Sequence, residues 1–211
     1  TDEISSLFIG HHRYPELIAS EGGSADPLEA GFTFRTGQNF EFVTDEDQTV
    51  VFSAIIEDSA GGNQKRVIAL HDGQSASPVL IEGDPVGGNP AVIVSSIPDH
   101  LPSLSANGNL AVIAEVQTDQ APPELMILSG NPNELHAQFP VASFEGELPE
   151  GSQISGLTQA IFSAQDELVF SCKLVGTGIG ENNDQLIAIA SEDGEGLVIF
   201  QEGLVLDDQV V

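Results

Sequence analysis

Residues 102–116 read PSLSANGNLAVIAEV: a proline, a short polar turn holding Asn107 and Gly108, then an apolar run. This predicts a tight turn feeding a strand, because Asn-Gly supplies the backbone conformations that hairpin turns demand. The same wording occurs three times. QTVVFSAII begins at Gln48, NLAVIAEV at Asn109 and ELVFSCKL at Glu167, which aligns Phe52, Val112 and Phe170 at spacings of 60 and 58 residues.

Three further phrases travel with the first. RVIAL at 66, ELMIL at 124 and QLIAI at 185 follow it, and SLFIG at 6 is a copy without the key phrase ahead of it; Leu7, Val67, Leu125 and Leu186 are aligned on this basis. ELIASEG at 16, VLIEG at 79, ELHAQF at 134 and LVIFQEG at 197 close each unit, with a Glu-Gly ending at Glu21-Gly22, Glu82-Gly83 and Glu202-Gly203. GFTF at 31, AVIVSS at 91 and SQISGL at 152 precede each new key.

Each phrase is short, rich in Val, Ile, Leu and Phe, and bounded by turn residues such as Asp72-Gly73, Gly130-Asn131-Pro132 and Asp193-Gly194. That is the pattern of antiparallel strands joined by hairpins. No window carries a 3.6-residue apolar period with caps, so helix is expected to be scarce. Strands are predicted near 50–56, 66–71, 78–82, 109–116, 124–128, 134–139, 167–174, 185–190 and 197–202. Loops are predicted at 57–65, 117–124 and 175–184.

Four short strands in a unit of about sixty residues, repeated in line, predict an all-β chain built as a β-propeller or a segment of one, with a β-sandwich as the alternative. The chain reads as a single domain over 1–211: a half unit at 1–30, units at 31–90, 91–150 and 151–203, and a closing strand in 204–211.

The phrases resemble the repeats of secreted bacterial β-propeller domains of unknown function, of the kind that carry C-terminal surface-sorting anchors of several types. The pattern is Pro-x-Ile/Leu-Asn/Ser-x-x-Gly-x-Val-Ala-Phe. Residues 102–112 fit it best; 163–170, SAQDELVF, carry Asp166 in place of the glycine, and 44–52, TDEDQTVVF, lack the proline. The resemblance implies a propeller and an extracellular or cell-surface address, with the periplasm as the neighbouring option. It implies no activity and no site residues.

Composition narrows the function further. The chain holds 33 Asp and Glu against 5 Lys and Arg, a net charge of −28. Such a field repels phosphate backbones and anionic lipid surfaces, so neither nucleic acid nor a membrane is expected as partner. It suits salty surroundings, where counterions screen self-repulsion. Cys172 is the single cysteine, so no intrachain disulfide forms. It falls in a slot held by Ala54 and Ala114 in the other copies, which marks a small buried residue rather than a nucleophile.

The chemical motifs are sparse. The five histidines lack zinc spacing and are expected on surface hairpins. GTGIG, 176–180, has neither a following helix nor a lysine, so it does not read as a phosphate loop. Gly-x-Ser-x-Gly is absent. Oxygen ligands for a hard cation cluster in TDEDQ and ENND, making Asp45, Asp47, Glu181 and Asp184 the candidate Ca²⁺ ligands. The function expected is a non-enzymatic binding or assembly module, with a protein or glycan partner at the surface or self-association through an incomplete blade. The alternative is a carbohydrate-active propeller with carboxylates at its axial channel. Sugar-stacking aromatics argue against the latter: there is no Trp, and Tyr14 is the single tyrosine.

Overall fold

The structure is a computed structural model describing residues 5–11, 14–44, 49–58, 60, 62–118, 121–138, 143–145, 151–190, 195–202, 205–206 and 209–210. The chain is all-β, and the described residues hold no helix, hence none long and apolar enough to cross a membrane.

Strands β1 (Ser6–His11) and β2 (Tyr14–Ser20) form a hairpin, sheet I. Sheet II holds β3 (Phe32–Phe34) and β4 (Glu41–Thr44), both paired to β5 (Val50–Asp58), then β6 (Gln64–His71) and β7 (Ala76–Ile81). Sheet III holds β8 (Pro85–Val86), β9 (Asn89–Ser96), β10 (Ser103–Leu104), β11 (Leu110–Thr118), β12 (Glu124–Gly130) and β13 (His136–Gln138). Sheet IV holds β14 (Ser143–Glu145), β15 (Gln153–Phe162), β16 (Leu168–Val175), β17 (Gln185–Ala190) and β18 (Glu195–Gln201). A last hairpin pairs β19 (Val205–Leu206) with β20 (Gln209–Val210). All pairings are antiparallel except β14 with β18.

Three of the sheets share one order. A first strand, broken in two as β3/β4 and β9/β10 and continuous as β15, pairs the key strand (β5, β11, β16). The key strand pairs the next (β6, β12, β17), and that pairs the last (β7, β13, β18). The turns recur as well. Ser105 N–H donates to Asn109 O and Gly108 N–H to Ser105 O at 2.8 and 3.0 Å; Ser163 with Glu167 and Asp166 with Ser163 repeat this at 2.9 and 3.0 Å. Both serine hydroxyls accept two backbone N–H groups of their turn, which fixes its shape. At the other end, Gly22 and Gly83, both at positive φ, each donate N–H to the incoming strand at 2.8 Å, to Phe34 O and Val94 O. Glu21, Glu82 and Glu202 donate N–H to Ser5, Arg66 and Gln185 carbonyls at 3.1, 3.1 and 2.9 Å.

The core lies between sheets in chain order. Leu7 and Ala19 of sheet I pack with Phe52, Ala54, Val67 and Ala69 of sheet II. The opposite face of sheet II, Val51, Ile68 and Leu80, packs with Val94, Val112 and Leu128 of sheet III. Ala111, Ile113 and Ile127, on the other face of sheet III, pack with Leu157, Phe170, Leu186 and Ala188 of sheet IV. Sheets II and III are therefore buried on both faces, which is why β5 reads as a run of apolar residues instead of an alternation.

The expected strands lie within a few residues of the observed ones, and the phrases at 31, 91 and 152 lie in or overlap β3, β9 and β15. Two readings need correction. Pairing sets Val67 opposite Ala54, Met126 opposite Ala114 and Leu186 opposite Cys172, and Leu7 pairs Ala19 as Ile68 pairs Leu80, each just before a bulge, so Ser6 and Met126, not Leu7 and Leu125, are the equivalents of Val67. The connections expected at 57–65 and 117–124 are shorter, because β5 runs to Asp58, β6 starts at Gln64 and β11 runs to Thr118.

Candidate functional site

The break between β3 and β4 makes a candidate site that several elements line. At Ile55 the pairing is shared: Arg35 N–H still donates to Ile55 O at 2.9 Å, and a side chain supplies the rest. Ile55 N–H donates to Gln38 Oε1 at 2.6 Å, and Gln38 Nε2 donates to Ile55 O and Arg35 O at 2.9 and 3.0 Å. The Gln38 amide thus stands in for the next peptide group of the ladder, and the half-buried backbone of Ile55 stays satisfied. Gln38→Ala should lower stability by about 1–2 kcal/mol, because it removes the three hydrogen bonds to Ile55 and Arg35 and leaves the Ile55 N–H without its acceptor; urea unfolding monitored by circular dichroism measures it.

Residues 35–39, held off the sheet by this clamp, leave a cleft of about 220 Å³. Arg35, Gln38, Asn39, Glu41, Arg66 and Asp99 line it, with the backbone of Gly37 and residues 53–55 behind. Arg66 comes from β6, opposite Ile55. Asp99 comes from the segment between β9 and β10, and its Oδ1 accepts from Arg66 Nη1 at 2.6 Å. Glu82 secures the same corner: one carboxylate oxygen accepts Arg66 N–H at 2.7 Å within sheet II, the other accepts Ile97 N–H at 2.8 Å across in sheet III. Lys65, beside this corner, is held by Glu29 at 2.9 Å and lies over the Phe32 ring. Three of the chain's five basic residues thus gather on sheet II. Arg35 is exposed and has no ion pair among the described residues, so its guanidinium is open to a ligand.

The sequence-derived candidates fall elsewhere. Asp45 and Asp47 lie outside the described residues. Glu181 is exposed in the β16–β17 connection. Asp184 closes that connection: its carbonyl accepts Leu174 N–H at 2.7 Å, and its carboxylate meets Lys173 Nζ at 2.9 Å. The hydrogen bond and charge of Asp184 raise the Lys173 ammonium above its ordinary pKa. Lys173 is then the cation these two carboxylates face. Among the described residues, no three His, Cys, Asp or Glu side chains converge as a metal site would require.

Two other side chains differ in their lot. His71, expected on a surface hairpin, is buried, and its Nδ1 accepts Gly73 N–H at 3.1 Å to hold the β6–β7 turn. Cys172 is buried against sheet III as a small core residue, and burial pushes its thiol up to about 11. Sequence reasoning missed the cleft. The signal present was Arg35 and Arg66 in a chain with few basic residues, and the RTGQN break (35–39) between two apolar stretches. A scan against protein-family models finds no match, and no curated protein shows significant similarity to the chain.

Proposed function

We propose that the chain is a propeller, or a segment of one, built from four-stranded units of about sixty residues, and that it serves as a non-enzymatic secreted or cell-surface binding and assembly module. The shared strand order of sheets II to IV, the recurring turn hydrogen bonds and the burial of sheets II and III on both faces support the propeller over the sandwich. The cleft carries the functional reading. Its lining is an open guanidinium, the Asn39 amide, the Glu41 carboxylate and the Asp99 carboxylate already neutralised by Arg66, a donor and acceptor set suited to hydroxyl groups. A neutral glycan unit is the ligand that fits, because the net charge of −28 disfavours an anion while leaving hydroxyls unaffected.

The test is an NMR titration of the isotope-labelled protein with neutral oligosaccharides. Amide shifts confined to residues 35–41 and 97–99 are expected, and Arg35→Ala with Asn39→Ala should weaken the affinity by about tenfold or more, about 1.4 kcal/mol. Shifts in none of these residues at millimolar sugar contradict the glycan reading. A second reading draws on Glu41 and Asp99, which line the same cleft: a carboxylate pair that cleaves a glycosidic bond. Release of new reducing ends by the wild type, lost in Glu41→Gln, would favour it. Calcium held by Asp45, Asp47, Glu181 and Asp184 belongs to the same proposal, with Lys173 as the competitor at the last two.

A further inference from the structure

Each contact between successive sheets sets the front face of one sheet on the rear face of the next. The front face of sheet IV leaves large apolar side chains exposed. Pairing makes Val51, Ala111 and Val169 equivalent, and likewise Ile68, Ile127 and Ile187. Ile68 and Ile127 are 0% and 1% exposed because a sheet covers them, whereas Ile187 is 38% exposed. Ile161, Leu197 and Ile199 lie exposed on the same sheet. An apolar patch of this kind on a sheet marks a docking surface.

A second observation points the same way. Glu82 and Glu202 occupy the same turn, each donating its N–H to a carbonyl near the start of the neighbouring strand, Arg66 O and Gln185 O. Glu82 sends one carboxylate oxygen across to the Ile97 N–H of the following sheet. Glu202 has an oxygen, Oε2, that is buried with no hydrogen-bond partner among the described residues. A buried carboxylate oxygen without a donor is destabilising, and a covering sheet would supply the N–H.

The chain itself offers the matching surface. Sheet I turns Leu7 and Ala19 toward sheet II and its paired neighbours Phe8 and Leu17 the other way, at 54% and 52% exposure. This is the rear face of the same stack, and these two side chains lie exposed on it. We propose that the front face of sheet IV docks the sheet I rear face of a second copy, head to tail. The proposal rests on the propeller reading of the sheets as equivalent units. Such a contact is heterologous and builds a ring or an open filament. Two chains of charge −28 repel, so association strengthens as salt screens them.

Sedimentation velocity of the wild type over a range of protein and salt concentrations tests this. The mass is expected to rise with both. Ile187→Lys and Leu17→Lys should each be monomeric, with circular dichroism and Cys172 protection confirming that each still folds. An equimolar mixture of the two should recover a dimer, since each variant keeps the face the other lacks. A wild type that stays monomeric at every salt overturns the proposal; if it also binds an apolar dye, a further length of polypeptide or another protein is the occupant. Loss of association in Ile187→Lys but not in Leu17→Lys means that sheet IV pairs with itself, which overturns the head-to-tail contact. Glycan titration of the same monomeric variants reports on the cleft alone, so failure here and failure of the binding reading are separable.

Discussion

Phe52→Ala is expected to lower the free energy of unfolding by about 3–5 kcal/mol, enough to leave a domain of ordinary stability marginal. Phe52 is fully buried where sheet I meets sheet II, between Phe42 of β4 and Ala69 of β6 in the ladder. Its neighbours are fixed by ladder hydrogen bonds and cannot collapse into the void, which places the loss at the upper end for a large-to-small change. Phe42 pairs directly with it on the edge of the sheet but is half exposed. Phe42→Ala should therefore change stability by under about 1 kcal/mol. Denaturant unfolding of both variants reads the contrast. Equal losses would mean that the two aromatic rings do not differ in burial, and the register of β4 on β5 would be wrong.

The second large effect concerns Cys172. Its thiol is 2% exposed in the core between sheets III and IV, and burial lifts it from 9.0 to about 11. At pH 8 that alone leaves roughly a hundredfold less thiolate than an ordinary cysteine, and the sulfur must in addition wait for the sheet to open before a reagent reaches it. Labelling by a disulfide reagent should be at least about a hundredfold slower in the native protein than in guanidinium. The raised value also has a sign for stability. The unfolded chain releases the proton near 9.0 and the folded chain near 11, so this contribution is intact below the first and is lost as pH rises toward the second. Stoichiometric labelling of the native protein within seconds would contradict both statements.

Residues from particular strands show what could be read in advance. β11 and β16 were legible because the serine turn ahead of them and the apolar run behind them agree on one structure, and β5 because its apolar run repeats theirs at the same spacing. The phase of the second phrase was not. In β12 both Leu125 and Met126 pack against core, on opposite faces, so polarity gives no mark of which one points back toward the preceding sheet. Asp166 illustrates the reverse: it was seen to replace a glycine, and it does take the left-handed φ of 61° that Gly108 takes at 78°. Its carboxylate bonds Asn107 of the neighbouring turn, which helps hold that conformation.

The cleft was hidden for a physical reason. It depends on Gln38 acting as backbone, and nothing in the local pattern marks a glutamine as a substitute for a peptide group. The segment between β9 and β10, which carries Asp99, reads simply as a proline-bounded turn; that it reaches Arg66 follows from the packing of one sheet on another. The acidic turns chosen for calcium were legible as clusters, but a cluster in sequence says nothing of the lysine that one of them faces.

Among the described residues each sheet packs on its neighbours in chain order, and the proposed propeller requires that order. Methyl–methyl contacts in an NOE spectrum test it most directly. Ile68 methyls should show cross-peaks to Val94, Val112 and Leu128 of sheet III, and Ile113 methyls to Leu157 and Leu186 of sheet IV. Contacts from Ile113 to Val51 or Ile68, or from sheet I to sheet III or IV in a monomer, would contradict the account, because they require the sheets to be folded onto one another out of order.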